Sequence, residues 1–405
     1  MTTSNINWKK NTALFLTSQT LSLFGTMLVQ WAIMWHIVLE TQSGTMMTLY
    51  VAVAILPTFF TSLFGGVWAD RYNKKLLINL ADGSIAFVSL IIALSLFAGH
   101  DSFILLLIAS MMRALGQGIQ QPAVNALIPI IVPKAKLLKI NGINSSIQSG
   151  IFLLSPALAA SLMSFAPLQT LFLIDVVTAA LAITTLHYFV KVRHETKEKS
   201  AEKTSHFAEL MSGLRYIKSH RFLLLMMIFS AIFTIFVSPL AILTPLLTTR
   251  NFGPELWLLS AIEITFAGGM ILGGFLVGIW CFRNKIFAIG MACAVAGLIS
   301  IVLGVWTSMI PYLVLMVIGG IAAPYFNAPS MTLLQEKVKP NYIGRVLSVF
   351  VMLDSLAMPF GMLAFGPLAD KIDINYIFIG TGVVMLVLGG LYFVVKAFRN
   401  PKINH

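Results

Sequence analysis

The chain predicts an all-α membrane protein with twelve transmembrane helices in two pseudo-symmetric six-helix halves. Three observations carry this. Hydrophobic residues make up 58% of the 405 residues and charged ones only 10%, too little charge to cover a soluble domain. The apolar residues gather into twelve runs, each long enough at about 20 residues to cross a bilayer as a helix. Finally, Gly118-Ile119-Gln120-Gln121-Pro122-Ala123-Val124-Asn125-Ala126 returns 202 residues later as Gly320-Ile321-Ala322-Ala323-Pro324-Tyr325-Phe326-Asn327-Ala328, with five of nine positions matching. A parallel half-on-half repeat inside apolar segments points to a transporter whose site lies between the halves.

The runs are taken in order. Asn11–Leu39 follows a polar start containing Lys9 and Lys10, and no small-residue cleavage site follows a short apolar core. It therefore reads as a retained first span and not a signal peptide. Thr45–Trp68, Leu76–Ala98, Ser102–Val132, Leu138–Phe165 and Leu168–Val190 complete the first half. The second half comprises Phe222–Leu247, Leu256–Trp280, Ile286–Trp306, Pro311–Leu334, Val346–Leu368 and Tyr376–Val395. Prolines inside spans four, five, seven, ten and eleven (Pro122, Pro129, Pro156, Pro239, Pro245, Pro324, Pro329, Pro359) predict bends, tolerated where neighbouring helices satisfy the freed backbone groups. The domain reading is residues 1–190 for the first half, 191–221 for a cytoplasmic linker and 222–405 for the second half. Within the linker, Phe207, Leu210, Met211, Leu214 and Ile217 have the spacing of an amphipathic helix. Its many charges weigh more towards a solvated segment.

The net charge is +12, but its distribution argues against a nucleic-acid partner. All but three of the 27 Lys and Arg residues flank the spans on the side that holds the N-terminus. Arg250 and Lys371 fall on the other side, and Arg113 lies inside span four. Positive flanks mark the cytoplasmic face, so both termini are expected in the cytoplasm of a multi-pass plasma-membrane protein. The two cysteines, Cys281 and Cys293, make neither a disulfide framework nor a metal site. No cofactor is expected.

The loop between spans two and three reads Gly66-Val67-Trp68-Ala69-Asp70-Arg71-Tyr72-Asn73-Lys74-Lys75. It resembles the Gly-x-x-x-Asp-Arg-x-Gly-Arg-Arg signature of the major facilitator superfamily. The resemblance implies a conformational gate: Gly66 for close packing, Asp70 at an inner helix end, and Arg71, Lys74 and Lys75 to pair with carboxylates when the inner face closes. Asn73 stands where the family has glycine, and asparagine tolerates a left-handed turn. The matching loop of the second half, Cys281-Phe282-Arg283-Asn284-Lys285, is eroded to two positive charges. Ser155-Pro156-Ala157-Leu158-Ala159-Ala160 resembles a weakened form of the superfamily's antiporter stretch Gly-Pro-x-x-Gly-Gly.

Within the superfamily the chain resembles the macrolide-efflux group of bacterial exporters. The stretches that carry this are Asn7-Trp8-Lys9, Pro122 to Ala126, Glu263-Ile264-Thr265-Phe266-Ala267-Gly268-Gly269-Met270, Gln335-Glu336-Lys337-Val338-Lys339-Pro340, Gly344-Arg345-Val346 and Leu356-Ala357-Met358-Pro359. The resemblance implies proton-coupled export of an amphipathic drug such as a macrolide by alternating access. Siderophore or metabolite exporters, uniporters and importers share the plan. A membrane-embedded enzyme needs a clustered catalytic set, which the sequence lacks, and a lipid scramblase tolerates loss of every buried carboxylate. No phosphate-binding Gly-x-x-x-x-Gly-Lys-Ser/Thr loop is present, so an ATP-binding partner protein, if one is used, is a separate chain. The expected partners are protons, a small amphipathic substrate and the lipid bilayer; the expected state is a monomer.

A charge deep in a bilayer is expensive and so a functional candidate. Three are assigned to proton coupling. Glu263, about a turn and a half into span eight, is placed first and Asp354 in span eleven second; for each the alternative is a carboxyl bonded to a neighbouring helix. Arg113 lies about eleven residues, roughly 16 Å, into span four. In the family, spans one, four, seven and ten line the cavity, so Arg113 is expected to face it; the alternative is structural pairing with Asp82 or Asp354. Asp82 and Asp175 belong to spans expected on the outside of the bundle, in structural roles near the interface. His36 beside Trp31 and Trp35 reads as an interfacial anchor. Substrate-binding candidates are Gln19, Gln30 and Trp31 in span one, Gln117, Gln121 and Asn125 in span four, and Tyr325, Phe326 and Asn327 in span ten. They offer sparse polar groups among aromatics, as a large amphipathic ligand requires.

Overall fold

The computed structural model describes residues 7–191, 206–279, 284–306, 308–339 and 342–395; the side chains of Asp70 and of residues 206–210 fall outside that description, as does Cys281. Among the described residues twelve helical segments are long and apolar enough to cross a membrane. A bilayer offers no water to backbone N–H and C=O groups, so these apolar runs satisfy them internally as helices. They are α1 (Trp8–Thr41), α2 (Gly44–Arg71), α3 (Lys74–Phe97), α4 (Phe103–Ile131), α5 (Leu137–Met163) and α6 (Leu168–Thr184), the last extended by a wide turn over Thr185–Phe189. After α7 (His206–Ser219), the seventh span is divided into α8 (Arg221–Ser238) and α9 (Thr244–Phe252). Then follow α10 (Leu256–Ile279), α11 (Lys285–Val305), α12 (Met309–Lys337), α13 (Ile343–Ala369) and α14 (Ile374–Val394).

Proline acts unequally. α4, α5, α12 and α13 continue through their internal prolines as single helices. Among these proline-bearing spans, as far as the residues are described, only the seventh changes hydrogen-bond register, through a π-helical turn at Pro239–Leu243 flanked by Pro245. Two prolines six residues apart remove two N–H donors from neighbouring turns, and the backbone widens between them.

The linker differs from the solvated segment expected from its charge. His206–Ser219 is helical, and Tyr216 and Ile217 are buried in an apolar cluster with Phe222, Leu223, Val346 and Val349. Gly213 lies against the backbone of Arg345, where a Cβ would come within 2.9 Å of its carbonyl oxygen. The amphipathic spacing outweighs the charge because one face meets the start of α13.

Contacts divide the chain into two compact units, Met1–Glu40 with Leu49–Glu198, and Thr41–Thr48 with Lys199–His405. Thr41–Thr48, which includes the first turn of α2, belongs to the second unit. In the first unit Phe15, Ile78, Leu127, Ile128, Leu186 and Val190 centre one core. In the second, α7, α8 and α11 to α14 share the cluster around Leu223, Cys293, Leu334 and Met385.

The repeat found in the sequence is a repeat of close helix contacts. On Gly118 of α4 a Cβ would lie 2.7 Å from the Thr58 carbonyl oxygen of α2; on Gly320 of α12 it would lie 2.8 Å from the Met270 nitrogen of α10. The partner helices carry matching pairs: Gly65 and Gly273 are packed against α4 and α12, while Gly66 and Gly274 have open space around them. Small residues let backbones meet where apolar burial gives no advantage over lipid. Gly320→Val is therefore expected to separate α10 from α12 and to lower the thermal unfolding midpoint in detergent, whereas Gly274→Val is expected to leave it nearly unchanged.

Candidate functional site

In the first unit Arg113 is 3% exposed and its Nη1 lies 2.5 Å from Oδ2 of Asp175, which is 1% exposed on its side chain. The same guanidinium nitrogen donates to Ser89, and Nη2 donates to the Thr26 carbonyl oxygen at 3.3 Å. α3 packs against both α4 and α6, so Ser89 joins the two charges; Ser89 also donates to Asp175 at 2.7 Å. Gly25 of α1 leaves room here, since a Cβ on it would lie 2.8 Å from Oδ1 of Asp175. The partner of Arg113 is thus Asp175, neither Asp82 nor Asp354, and Asp175 is a deep structural counter-ion where the sequence suggested an interfacial residue. The reach of the long Arg113 side chain of α4 to the short Asp175 carboxylate of α6 decides the pairing.

Asp82 of α3 is 1% exposed. Its Oδ1 accepts from Ser22 Oγ of α1 at 2.8 Å and from Gln120 Nε2 of α4 at 2.9 Å, while Oδ2 has no hydrogen-bond partner among the described residues. Gln120 Nε2 also reaches Gln19 Oε1 at 3.5 Å. These two glutamines line a recess together with Thr20, Gln121, Asn144 and Gln148. Five carboxamides converge there from α1, α4 and α5, with Leu23, Val124 and Ile147 between them. No charged side chain lines it.

The predicted substrate residues separate into groups. Gln19 and Gln121 line the recess. Gln117 is half-buried on α4, and Asn125 and Asn327, the matching positions of the two repeat copies, are both exposed. Gln30 accepts at its carbonyl from the Tyr50 hydroxyl, and its side-chain oxygen is buried. Trp31 rests on Trp35, ring centres 5.4 Å apart; Trp35 is fully buried and donates to the Pro156 carbonyl at 3.0 Å, fixing α1 on α5. Phe326 is a core side chain, 4.4 Å from the ring of Phe233, with Tyr325 packed beside that core. It therefore packs helices together and is no open aromatic wall. Sequence reasoning passed over Gln120, Asn144 and Gln148. Their signal was available: Asn141, Asn144, Ser145, Ser146, Gln148 and Ser149 make one half of a transmembrane segment polar.

In the second unit Glu263 is half-buried on α10, and no hydrogen bond or ion pair to it is found among the described residues. Asp354 is exposed on α13 and accepts from Thr234 Oγ1 of α8 at 2.7 Å. A third carboxylate, Asp370 just after α13, accepts from Ser43 Oγ at 2.7 Å, Gly44 N at 2.8 Å and Thr45 N at 2.9 Å. It caps the first turn of α2 from another helix. Arg250 lies 3.2 Å from it and also donates to the Ala369 and Gln42 carbonyls, each at 2.6 Å. Partial burial pushes the Asp370 carboxyl up, but the hydrogen bonds from Thr45, Ser43 and Gly44 outweigh it and bring the pKa down to about 2. A lowered folded-state pKa contributes stability that is complete above the unfolded value near 4 and is lost as pH falls through about 2. The stability difference between wild type and Asp370→Asn is accordingly expected to be constant from about pH 5 to 8 and to shrink below about pH 4, as thermal unfolding across that range will read.

The gate stretch is placed in part. Gly66 is open and Gly65 makes the close contact, so the packing role moves by one residue. Asn73 is not left-handed: at φ −66° its side chain accepts from the Lys75 and Leu76 nitrogens and caps α3, and Asn284 caps α11 in the same way. Asparagine replaces glycine here as a cap. Lys75 Nζ donates to the His187 and Val190 carbonyls at 2.7 and 2.8 Å, satisfying the end of the sixth span. Arg71 is exposed and Lys74 half-exposed; the side chain of Asp70 lies outside the described residues.

The family model described as "Major Facilitator Superfamily" matches residues 14–362. Among curated proteins the chain is 28% identical over 393 residues to Macrolide efflux protein A of Streptococcus pyogenes, covering 94% of this chain and 95% of that one. It is 28% identical over 305 residues to Macrolide efflux protein A of Enterococcus faecalis, covering 73% of this chain and 93% of that one. Among solved structures, a bacterial homologue of the human lysosomal transporter Spinster superposes with a TM-score of 0.69 at 15% identity, covering 96% of this chain and 97% of that one.

Proposed function

Because this chain belongs to the Major Facilitator Superfamily and is a multi-pass membrane transporter, not an enzyme, we propose that it exports a large amphipathic cation such as a macrolide in exchange for protons, by alternating access, with both termini in the cytoplasm. The observation that carries this reading is the likeness to macrolide efflux proteins along nearly the whole length of both chains. The recess agrees with it. Its neutral carboxamides and apolar side chains suit a ligand with several hydroxyls and one amine, whereas an anionic metabolite needs a cation, and buried Arg113 is committed to Asp175.

For coupling, Glu263 is the first carboxylate. It sits in an apolar helix without a counter-charge, and such a group takes a proton when water reaches it and loses it when a cation arrives. Asp354, held by Thr234, is the second. Arg113 acts through Asp175, the buried carboxylate whose charge it neutralises. Expression in a macrolide-sensitive host is expected to raise the inhibitory concentration of erythromycin several-fold; unchanged susceptibility at verified membrane expression removes the macrolide from the proposal.

A further inference from the structure

Asp82 has no part in the reading above, yet its surroundings are those of a working group. It is 1% exposed, and among the described residues its Oδ2 is unpartnered and no ion pair to it is found. The charged group that acts on it from a neighbouring helix is Asp175 of α6, which is itself paired with Arg113 of α4. From α1 it meets the hydroxyl of Ser22, and from α4 the amide of Gln120. Both N–H groups of Gln120 are taken, by Asp82 and by Gln19, so its side-chain oxygen is what it can offer to the recess. One amide thus touches a buried carboxyl on one side and lines the carboxamide recess on the other.

We propose that Asp82 is a proton site linked to occupancy of the carboxamide recess, which takes a protonated amine flanked by hydroxyl groups. This rests on the export reading and adds a site in the first unit to the carboxylates of the second. An ionised Asp82 polarises the Gln120 amide and makes its oxygen a better acceptor for an ammonium group. A protonated Asp82 withdraws that help. Loading breaks the O–H bond at Asp82, leaves the electron pair on the carboxylate and releases the proton to water. The ammonium group brings the replacing positive charge, so one proton leaves for each cation bound.

The test uses the purified full chain in lipid vesicles, with erythromycin as probe. Infrared difference spectra taken across pH are expected to contain a buried carboxylic-acid C=O component that Asp82→Asn removes and that Glu263→Gln and Asp354→Asn leave in place. Erythromycin is expected to diminish that component in wild type and not in Gln120→Leu. Its apparent affinity is expected to rise about tenfold with pH in wild type, within the usual range of site-to-site coupling, and to be flat in Asp82→Asn. If Asp82→Asn does not fold, Asp82→Glu must shift the midpoint of the component. A component that survives in Asp82→Asn, or pH-dependent binding that persists there, overturns the inference. If erythromycin binds neither wild type nor any variant, the macrolide reading falls separately; Gln120→Leu must then still move the Asp82 midpoint, and an unmoved midpoint overturns the inference.

Discussion

Arg113→Leu is expected to destabilise the protein by about 3–5 kcal/mol, the usual cost of removing one partner from a buried ion pair. The substitution leaves Asp175 ionised or forces a proton onto it, in a place where Ser89 alone remains to bond it. The pair itself is not a source of that much net stability, because two charges were dehydrated to form it. Removing both is therefore expected to cost far less than removing either. Thermal unfolding of Arg113→Leu, Asp175→Leu and the double variant decides this: the double variant is expected to melt above both single variants. Equal or lower melting of the double variant means that Arg113 has a second essential contact.

Glu263→Gln is expected to abolish concentrative export while sparing downhill movement. Glutamine keeps the size and the hydrogen-bonding capacity of the residue but cannot carry a proton. Coupling between two sites is worth about 5–150-fold in occupancy, and the uphill gradient sustained by the variant should fall by a factor in that range. Asp354→Asn is expected to have a smaller effect, since Thr234 already holds that carboxylate at 2.7 Å. Paired measurements in everted vesicles, uphill with an imposed proton gradient and downhill without one, separate the two roles. Full uphill activity in Glu263→Gln removes this residue from the coupling scheme.

The fold was legible because a bilayer leaves an apolar segment only one common way to satisfy its backbone. Length, hydropathy and the offset repeat located twelve spans, each end within a few residues of its place. The close contacts at Gly118 and Gly320 were legible as a repeat but not as contacts, since only the structure shows what faces them. Asn73 was read by the conformation that glycine would adopt, while its actual use is capping, which asparagine does well and glycine cannot do with a side chain. The partner of Arg113 was not legible. Four carboxylates, Asp82, Asp175, Glu263 and Asp354, lay within the spans, and spacing along the sequence says nothing about which helix stands next to α4. The carboxamide recess was missed for a related reason. Charges draw attention inside a membrane, whereas Gln120, Asn144 and Gln148 become a site only when α1, α4 and α5 bring them together. The linker helix was under-weighted because the charges of its surroundings hid five apolar positions with helical spacing.

The central claim is export driven by the proton gradient. Everted membrane vesicles holding the wild-type chain, energised through respiration, are given radiolabelled erythromycin with and without a protonophore. The account predicts accumulation above the level of vesicles lacking the protein, and its collapse when the protonophore is added. Accumulation that persists with the proton gradient dissipated contradicts it.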